Sequence, residues 1–377
     1  MIVRKRILAG ILILVMIAPP TFAYNPPTGG ESAVTFQAPL LLGGNASMTG
    51  GAFGPVLPGE VSLNPALGAA EQRITVDASY AALIGTKDDT GFGHVLNAGI
   101  LYPTRWSVLS GSLSFLTSPF DTLQYGTAAT LNAAISKELT ERFSIGAGLS
   151  ASAGTGWGAY MNLGMLYKLG AIGFMQETRI GAGLTGLGRP YTPPTEGVKG
   201  GKATAMPSMI TPRAGFAGTL LDTGALTLGA SADLSAPFFQ NLVFDAGLEA
   251  VILDKITISS GWNFNLVETL NDRQSWLPSV AVGVNLAIDS TKQDAFLSRH
   301  GWGQSEIKPS VAVKPLAGGV IAVGGGANMQ LGVMDSKAPA IIVDYPEPVY
   351  ISPNNDGIQD ELSFKVSISD QRYVLAW

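Results

Sequence analysis

The sequence predicts an all-β protein, a transmembrane antiparallel β-barrel of about fourteen strands, and three observations predict it. Apolar residues recur at every second position over many segments of 10 to 16 residues. Only 14% of the 377 residues are charged while 47 are glycine, and the mean hydropathy is +0.27. The chain opens with an export signal. Soluble domains carry about 25% charge, so a chain this poor in charge is either very compact or faces lipid. A spanning helix needs about 20 consecutive apolar residues. The two uncharged stretches, Phe143–Tyr167 and Pro315–Met334, are interrupted by Gly, Ser, Thr and Asn and do not read as such helices.

Residues 1–23 read as a secretory signal peptide. Arg4, Lys5 and Arg6 form the basic region and Ile7–Ile17 the short apolar region. Thr21 and Ala23 supply the small residues of a cleavage site. There is no cysteine, which excludes disulfides and thiolate metal sites. The net charge of −5, without a long charge run, gives no reason to expect nucleic acid as a partner.

Fourteen strands are expected within 72–334, at 72–83, 93–102, 106–116, 125–138, 142–153, 157–170, 172–187, 208–221, 225–236, 240–253, 255–267, 277–289, 306–316 and 319–332. Ser279–Asp289 shows the pattern plainly, with Val280, Val282, Val284, Leu286 and Ile288 on one face. Such alternation puts one face in an apolar medium and the other in a polar one. The lengths match the 9–11 residues that cross a hydrocarbon layer. Joints after even strands are mostly tight, as at Pro103–Arg105 and Asp222–Gly224, and several after odd strands are long, notably Gly188–Pro207. Ser290–Ser305 breaks that rule. Tyr102, Trp106, Trp157, Tyr167, Trp262 and Trp276 lie at strand ends. They suit either interfacial girdles or the core of a soluble sandwich.

Residues 24–71 precede the first strand and contain a glycine-rich lead, then Asn64-Pro65-Ala66. With the strand Arg73–Leu83 and the run Asn97–Pro103, this order resembles the start of FadL-type and PorV-type outer-membrane proteins, over about residues 45–335. The resemblance implies a fourteen-stranded barrel in which residues 24–71 fold inward as a hatch. It implies passage or binding of hydrophobic small molecules in a FadL-like member. In a PorV-like member it implies service in secretion or in anchoring envelope proteins. Membrane lipid is the expected surroundings and the bacterial outer membrane the expected location. A simple turn before the first strand also fits Asn64-Pro65.

Charge facing lipid near the midplane costs several kcal/mol, roughly 2–4 for a basic residue. Asp77, Glu177, Arg179, Asp233, Asp245 and Glu249 are therefore expected to face the lumen. Mixed signs there suggest closure by ion pairs together with the hatch. An enzyme is not expected. His94 and His300 are the only histidines and show no catalytic or metal spacing, although Ser110 or Ser112 on the next strand could approach His94.

The alternation ends after Asp335. Residues 335–350 read as a linker and 351–377 as the start of a β-module. Ser352-Pro353-Asn354-Asn355-Asp356-Gly357 with Asp360 resembles the opening of FlgD-type Ig-like modules, followed by a strand at Ser363–Ile368. Oxygens of Asn354, Asp356 and Asp360 could hold calcium, or form a self-stabilised turn. No other cofactor is expected. An Ig-like sandwich needs about 100 residues, so the sequence is expected to stop inside the module, which would be periplasmic. A competing expectation makes Tyr373–Trp377 a last barrel strand.

Overall fold

The computed structural model describes residues 24–37, 41, 43, 48–53, 56–71, 73–86, 90–121, 123–290, 297 and 302–332, and the backbone of 340–344, 365–369 and 374–375. The expected signal peptide at 1–23, His300 and the candidate calcium ligands Asn354, Asp356 and Asp360 lie outside the described residues.

Alternation builds a single closed sheet from β1 (Ile74–Gly85), β2 (Phe92–Pro103), β3 (Val108–Ser118), β4 (Gly126–Thr140), β5 (Phe143–Gly154), β6 (Trp157–Ile172), β7 (Met175–Arg189) and β8 (Thr211–Asp222). It continues through β9 (Leu226–Ser235), β10 (Val243–Ile252), β11 (Ile256–Asn265), β12 (Ser279–Val284), β13 (Leu286–Asp289), β14 (Gln304–Pro315) and β15 (Val320–Leu331). Apart from β12 and β13, each strand pairs antiparallel with its neighbour in sequence, and β1 pairs with β15 over twelve positions, Ile74 opposite Leu331 through Gly85 opposite Val320. β12 and β13 both pair with β14, Gly283 opposite Ser310 and Leu286 opposite Ile307. They form one strand interrupted at Asn285. The result is a closed fourteen-strand antiparallel barrel, as expected.

Tight turns cluster at one end, joining β2–β3, β4–β5, β6–β7, β8–β9 and β10–β11. The opposite end carries the long connection 190–210 and residues 266–278, the latter holding α1 (Leu266–Leu270). The β13–β14 connection is long at the tight-turn end, as the sequence indicated.

One stretch of wall is not strand-paired. β11 pairs with β12 only from Ile256 to Gly261. Beyond that, the Gln274 side chain stands in for a neighbouring strand: it accepts from Asn265 N–H at 2.8 Å and donates to the carbonyls of Asn263 at 2.8 Å and Ser275 at 2.6 Å. Buried backbone polar groups need partners, and a side-chain amide supplies both a donor and an acceptor.

A second compact unit, 333–377, contains a three-stranded antiparallel sheet of β16 (Ala340–Asp344), β17 (Lys365–Ser369) and β18 (Val374–Leu375). β16 falls within the stretch read as a linker. β18 pairs with β17, Ser369 opposite Val374, and the barrel closes without it. The expectation of a terminal barrel strand at Tyr373–Trp377 is therefore corrected.

Candidate functional site

The barrel is inverted relative to a soluble protein. Along β5, Leu149 is 65% exposed while its neighbour Ser150 is 4% exposed. Leu96, Ile100, Leu113, Leu131, Ile135, Val282 and Val311 are exposed, and Asn97, Ser112, Asn132, Asn162, Ser231, Ser259 and Asn328 are buried. The polar residues face inward and the apolar ones outward all round the sheet. Exposed contiguous apolar surface on this scale is incompatible with water, and a closed barrel leaves no unpaired edge in lipid. The outer face is therefore a lipid-facing surface. Its aromatics fall at both ends: Tyr102, Trp106 and Tyr167 toward the tight turns, Trp157, Trp262 and Trp276 toward the long loops, all exposed. That arrangement selects the girdle reading over the core reading.

The described residues of 24–71 pack inside the lumen. Their short 3₁₀ turns, Gly30–Gln37, Glu60–Ser62 and Pro65–Ala70, satisfy backbone groups locally. Asn64 caps the last of these. Its Oδ1 accepts from Ala66 N–H at 3.1 Å, and its Nδ2 donates to the carbonyls of Met48 at 2.7 Å and Met165 at 3.1 Å. Pro65 follows as the first helical residue, where its missing N–H costs nothing. Ala66 and Leu67 pack on Leu166 of β6. The Asn64-Pro65-Ala66 motif is thus seated on the inner wall and is more than a turn.

The wall receives this segment because it lacks side chains there. A Cβ on Gly146 would come within 2.3 Å of the Pro65 carbonyl carbon, one on Gly164 within 1.9 Å of Asn64 Oδ1, and one on Gly181 within 2.1 Å of the Met48 oxygen. These contacts are closer than any side chain tolerates, so the inward glycines of β5, β6 and β7 form the seat.

Four of the six charges expected to line the lumen meet the segment or stand beside the groups that do. Arg179 donates through Nε to the Thr49 carbonyl at 2.9 Å, and through Nη2 to Gly51 at 2.6 Å and Ala52 at 2.7 Å. Glu249 accepts from the N–H groups of Ala52 at 2.9 Å and Phe53 at 3.1 Å. Asp233 accepts from Met48 N–H at 2.6 Å. Asp245 accepts from Asn263 Nδ2 at 2.6 Å, and Asn263 in turn accepts from Ser32 Oγ at 3.3 Å. Asp77 is buried on β1. Closure therefore comes mainly from side chains gripping the segment's backbone, beside the ion pairs that Arg73 makes with Glu71 at 3.2 Å and with Glu306 of β14 at 3.4 Å.

Glu177 departs from the expectation. It is exposed, with φ 50, inside a register shift between Gln176 and Arg179 at the tight-turn end of β7. A bulge reverses the side-chain alternation locally, so parity counted along the sequence assigns Glu177 to the wrong face. His94 lies opposite Thr117, while Ser112 lies opposite Gly99, five residues farther along. At about 3.4 Å per residue that separation rules out a Ser112–His94 pair. His94 contacts the Tyr80 hydroxyl at 2.8 Å through Nδ1.

The segment brings its own acids. Glu31 accepts from the Tyr24 hydroxyl at 3.0 Å and from Ser208, and burial raises its pKa. Burial pushes Glu60 up to about 8, and its carboxylate accepts from Leu57 N–H at 3.0 Å. Glu268, in α1, accepts from Gly29 N–H at 2.9 Å, and burial raises it to about 7. These acids were not singled out in the sequence, where a lone glutamate beside small or apolar neighbours gives no sign of its burial.

Toward the long-loop end, the segment leaves a cavity of about 90 Å³. Its walls are mostly apolar, from Ala33, Phe36, Val95, Leu116, Ala128, Tyr160, Tyr191 and Met206, with Ser114, Thr130, Asn132 and Ser152 as the polar groups. Phe36, Val95, Ala128, Tyr191 and Met206 of this wall also belong to an apolar cluster that includes Leu83, Phe120, Leu123, Tyr125 and Val320.

No known family and no curated protein matches the sequence. Among solved structures, the chain is similar to the Ralstonia pickettii toluene transporter TbuX, at 12% identity and TM-score 0.48, covering 80% of this chain and 100% of that one. It is similar to the P. putida toluene transporter TodX at 11% identity and TM-score 0.44, covering 78% and 99%. The Acinetobacter baumannii outer membrane protein Omp33 follows at 11% and 0.40, covering 70% and 100%. These scores lie below 0.5, and the function is argued from this chain's own geometry.

Proposed function

We propose that this chain is an outer-membrane barrel of FadL type that binds and passes hydrophobic small molecules, with residues 24–71 as the hatch. One observation carries the reading: a lipid-facing barrel whose lumen is occupied by its own N-terminal segment, leaving a mainly apolar cavity at the long-loop end. A hatch held by hydrogen bonds blocks ions and water. An apolar cavity lined by Phe36, Tyr160 and Tyr191 lowers the free energy of an apolar guest, at about 25 cal/mol per Å² buried. By the rule that long loops face outward, that cavity opens toward the cell exterior. Both termini of the barrel then lie on the periplasmic side, and so does the unit 333–377.

The test is solute uptake into vesicles carrying the purified full chain. Uptake of a small apolar solute, without matching leakage of ions, supports the reading. Equal rates with empty vesicles overturn it. A second reading, a PorV-like barrel that serves secretion or envelope anchoring, is favoured by the separate β-sheet unit after the barrel. It predicts no uptake and co-purification of defined envelope proteins.

A further inference from the structure

A group of buried polar side chains on the inner wall plays no part in gripping the segment. Asp77 on β1 faces Asn328 on β15 and Gly99 on β2 in the sheet register, and Asn97 lies two residues before Gly99. All three side chains are more than nine-tenths buried. The amide atoms of Asn97 and of Asn328 have no hydrogen-bond partner, and the Asp77 carboxylate has only the backbone N–H groups of Gly99 and of Asp77 itself beside it, with no side-chain partner. Directly opposite neighbours such as Asp77 and Asn328 stand about 5 Å apart at Cβ, a diagonal neighbour such as Asn97 about 7–8 Å from Asp77, and these side chains do not bond one another. They leave the spacing that a third body would bridge.

The space is built. A Cβ on Gly99 would lie 2.7 Å from Asp77 Oδ1 and 2.6 Å from Pro58 Cβ, so glycine at 99 makes room for the carboxylate under the N-terminal segment. The basic side chain in the same row, Lys308 opposite Asn328, interacts instead with Glu306, Glu249 and Glu71. Asp77 also adds negative charge near Glu60 of the segment. A buried carboxylate without a counter-charge is costly, and a second acid nearby adds to that cost.

We propose that Asp77 and Asn328, directly opposite each other on β1 and β15, bind a hard cation of the calcium or sodium class. Two carboxylate oxygens and one amide oxygen supply up to three ligands, and water can complete a coordination shell of six to eight at 2.3–2.6 Å. Among the described residues, no three acidic or histidine side chains gather as a metal cluster; this site draws on an amide oxygen. The bound charge offsets the repulsion between Asp77 and Glu60, and so ties the N-terminal segment to the wall.

The experiment uses the full chain in detergent, stripped with chelator and held in choline chloride. CaCl2, NaCl or MgCl2 is titrated while heat-modifiable gel mobility and protease cutting within residues 48–71 are read. The expected result is a higher melting midpoint and slower cutting with calcium or sodium. In Asp77→Asn, the half-maximal concentration should rise at least about tenfold, because the charged ligand is lost. Asn328→Ala keeps the carboxylate and should weaken the response in the same direction, which decides the matter if Asp77→Asn does not fold. No response to calcium or sodium in the parent, or an equal response in both variants, overturns the proposal.

Discussion

Replacing Gly164 by Ala should unseat the N-terminal segment while leaving the barrel closed. The added methyl would sit 1.9 Å from Asn64 Oδ1, so one of them must move. Gly164 lies within β6, paired with Gly146 on one side and Gly183 on the other, and the strand accepts Ala there without strain. Asn64 therefore yields, together with its three hydrogen bonds to Ala66, Met48 and Met165. At about 1 kcal/mol net for each hydrogen bond, roughly 3 kcal/mol of seating is lost, or about two powers of ten in the population of the displaced segment. Hydrogen exchange over residues 48–71 should accelerate accordingly, and open-channel events should appear in planar bilayers. Gly111→Ala, whose added methyl meets nothing closer than 3.9 Å, is the control. In an Asn64→Ala background the same Gly164 change should cost far less, which makes the pair a double-mutant cycle. Parent-like exchange and conductance in Gly164→Ala would refute the argument that inward glycines form the seat.

Three further outcomes follow from the same geometry. Arg179→Ala removes three charge-assisted bonds to the 49–53 backbone; protease cutting in that stretch should rise at least tenfold while gel mobility of the barrel is kept. Glu60 at about 8 and Glu268 at about 7 both lie above their unfolded value of 4.5. Raised carboxyl pKa values favour the seated segment fully below about pH 4.5, and that contribution is lost as pH rises through 7 to 8. Exchange in 48–71 measured from pH 5 to 9 should therefore increase with pH, and Glu60→Gln should flatten the upper part of the curve. Leu149→Arg puts a charge on the lipid face at a cost of roughly 2–4 kcal/mol, read as a loss of folded yield in vesicles. Unchanged yield would contradict the inverted surface.

The strands were legible because membrane barrels impose the simplest rule a sequence can carry, alternation with period two. All fourteen appear within a few residues of the expected bounds, and even the long Ser290–Ser305 connection was visible. Asp233, Arg179 and Glu249 were recognised as inward charges by the same parity. Their partners were not, because those partners are backbone atoms of residues 48–53, to which side-chain identity is no guide. Parity failed at Glu177, where a bulge reverses it. The seat at Gly146, Gly164 and Gly181 is hidden by abundance: among 47 glycines, nothing local marks those that a distant proline or asparagine approaches. Gln274 was equally silent, since its role exists only where β12 falls short of β11.

Closure between β1 and β15 has a consequence for the segment inside. The segment that occupies the interior ends at Glu71, three residues ahead of β1, and β1 is one side of the seam. The other side, β15, is the last barrel strand in the chain. The filling and one lip of the seam are thus adjoining stretches of chain, so a change that displaces the filling near Glu71 acts directly on the strand that closes the ring.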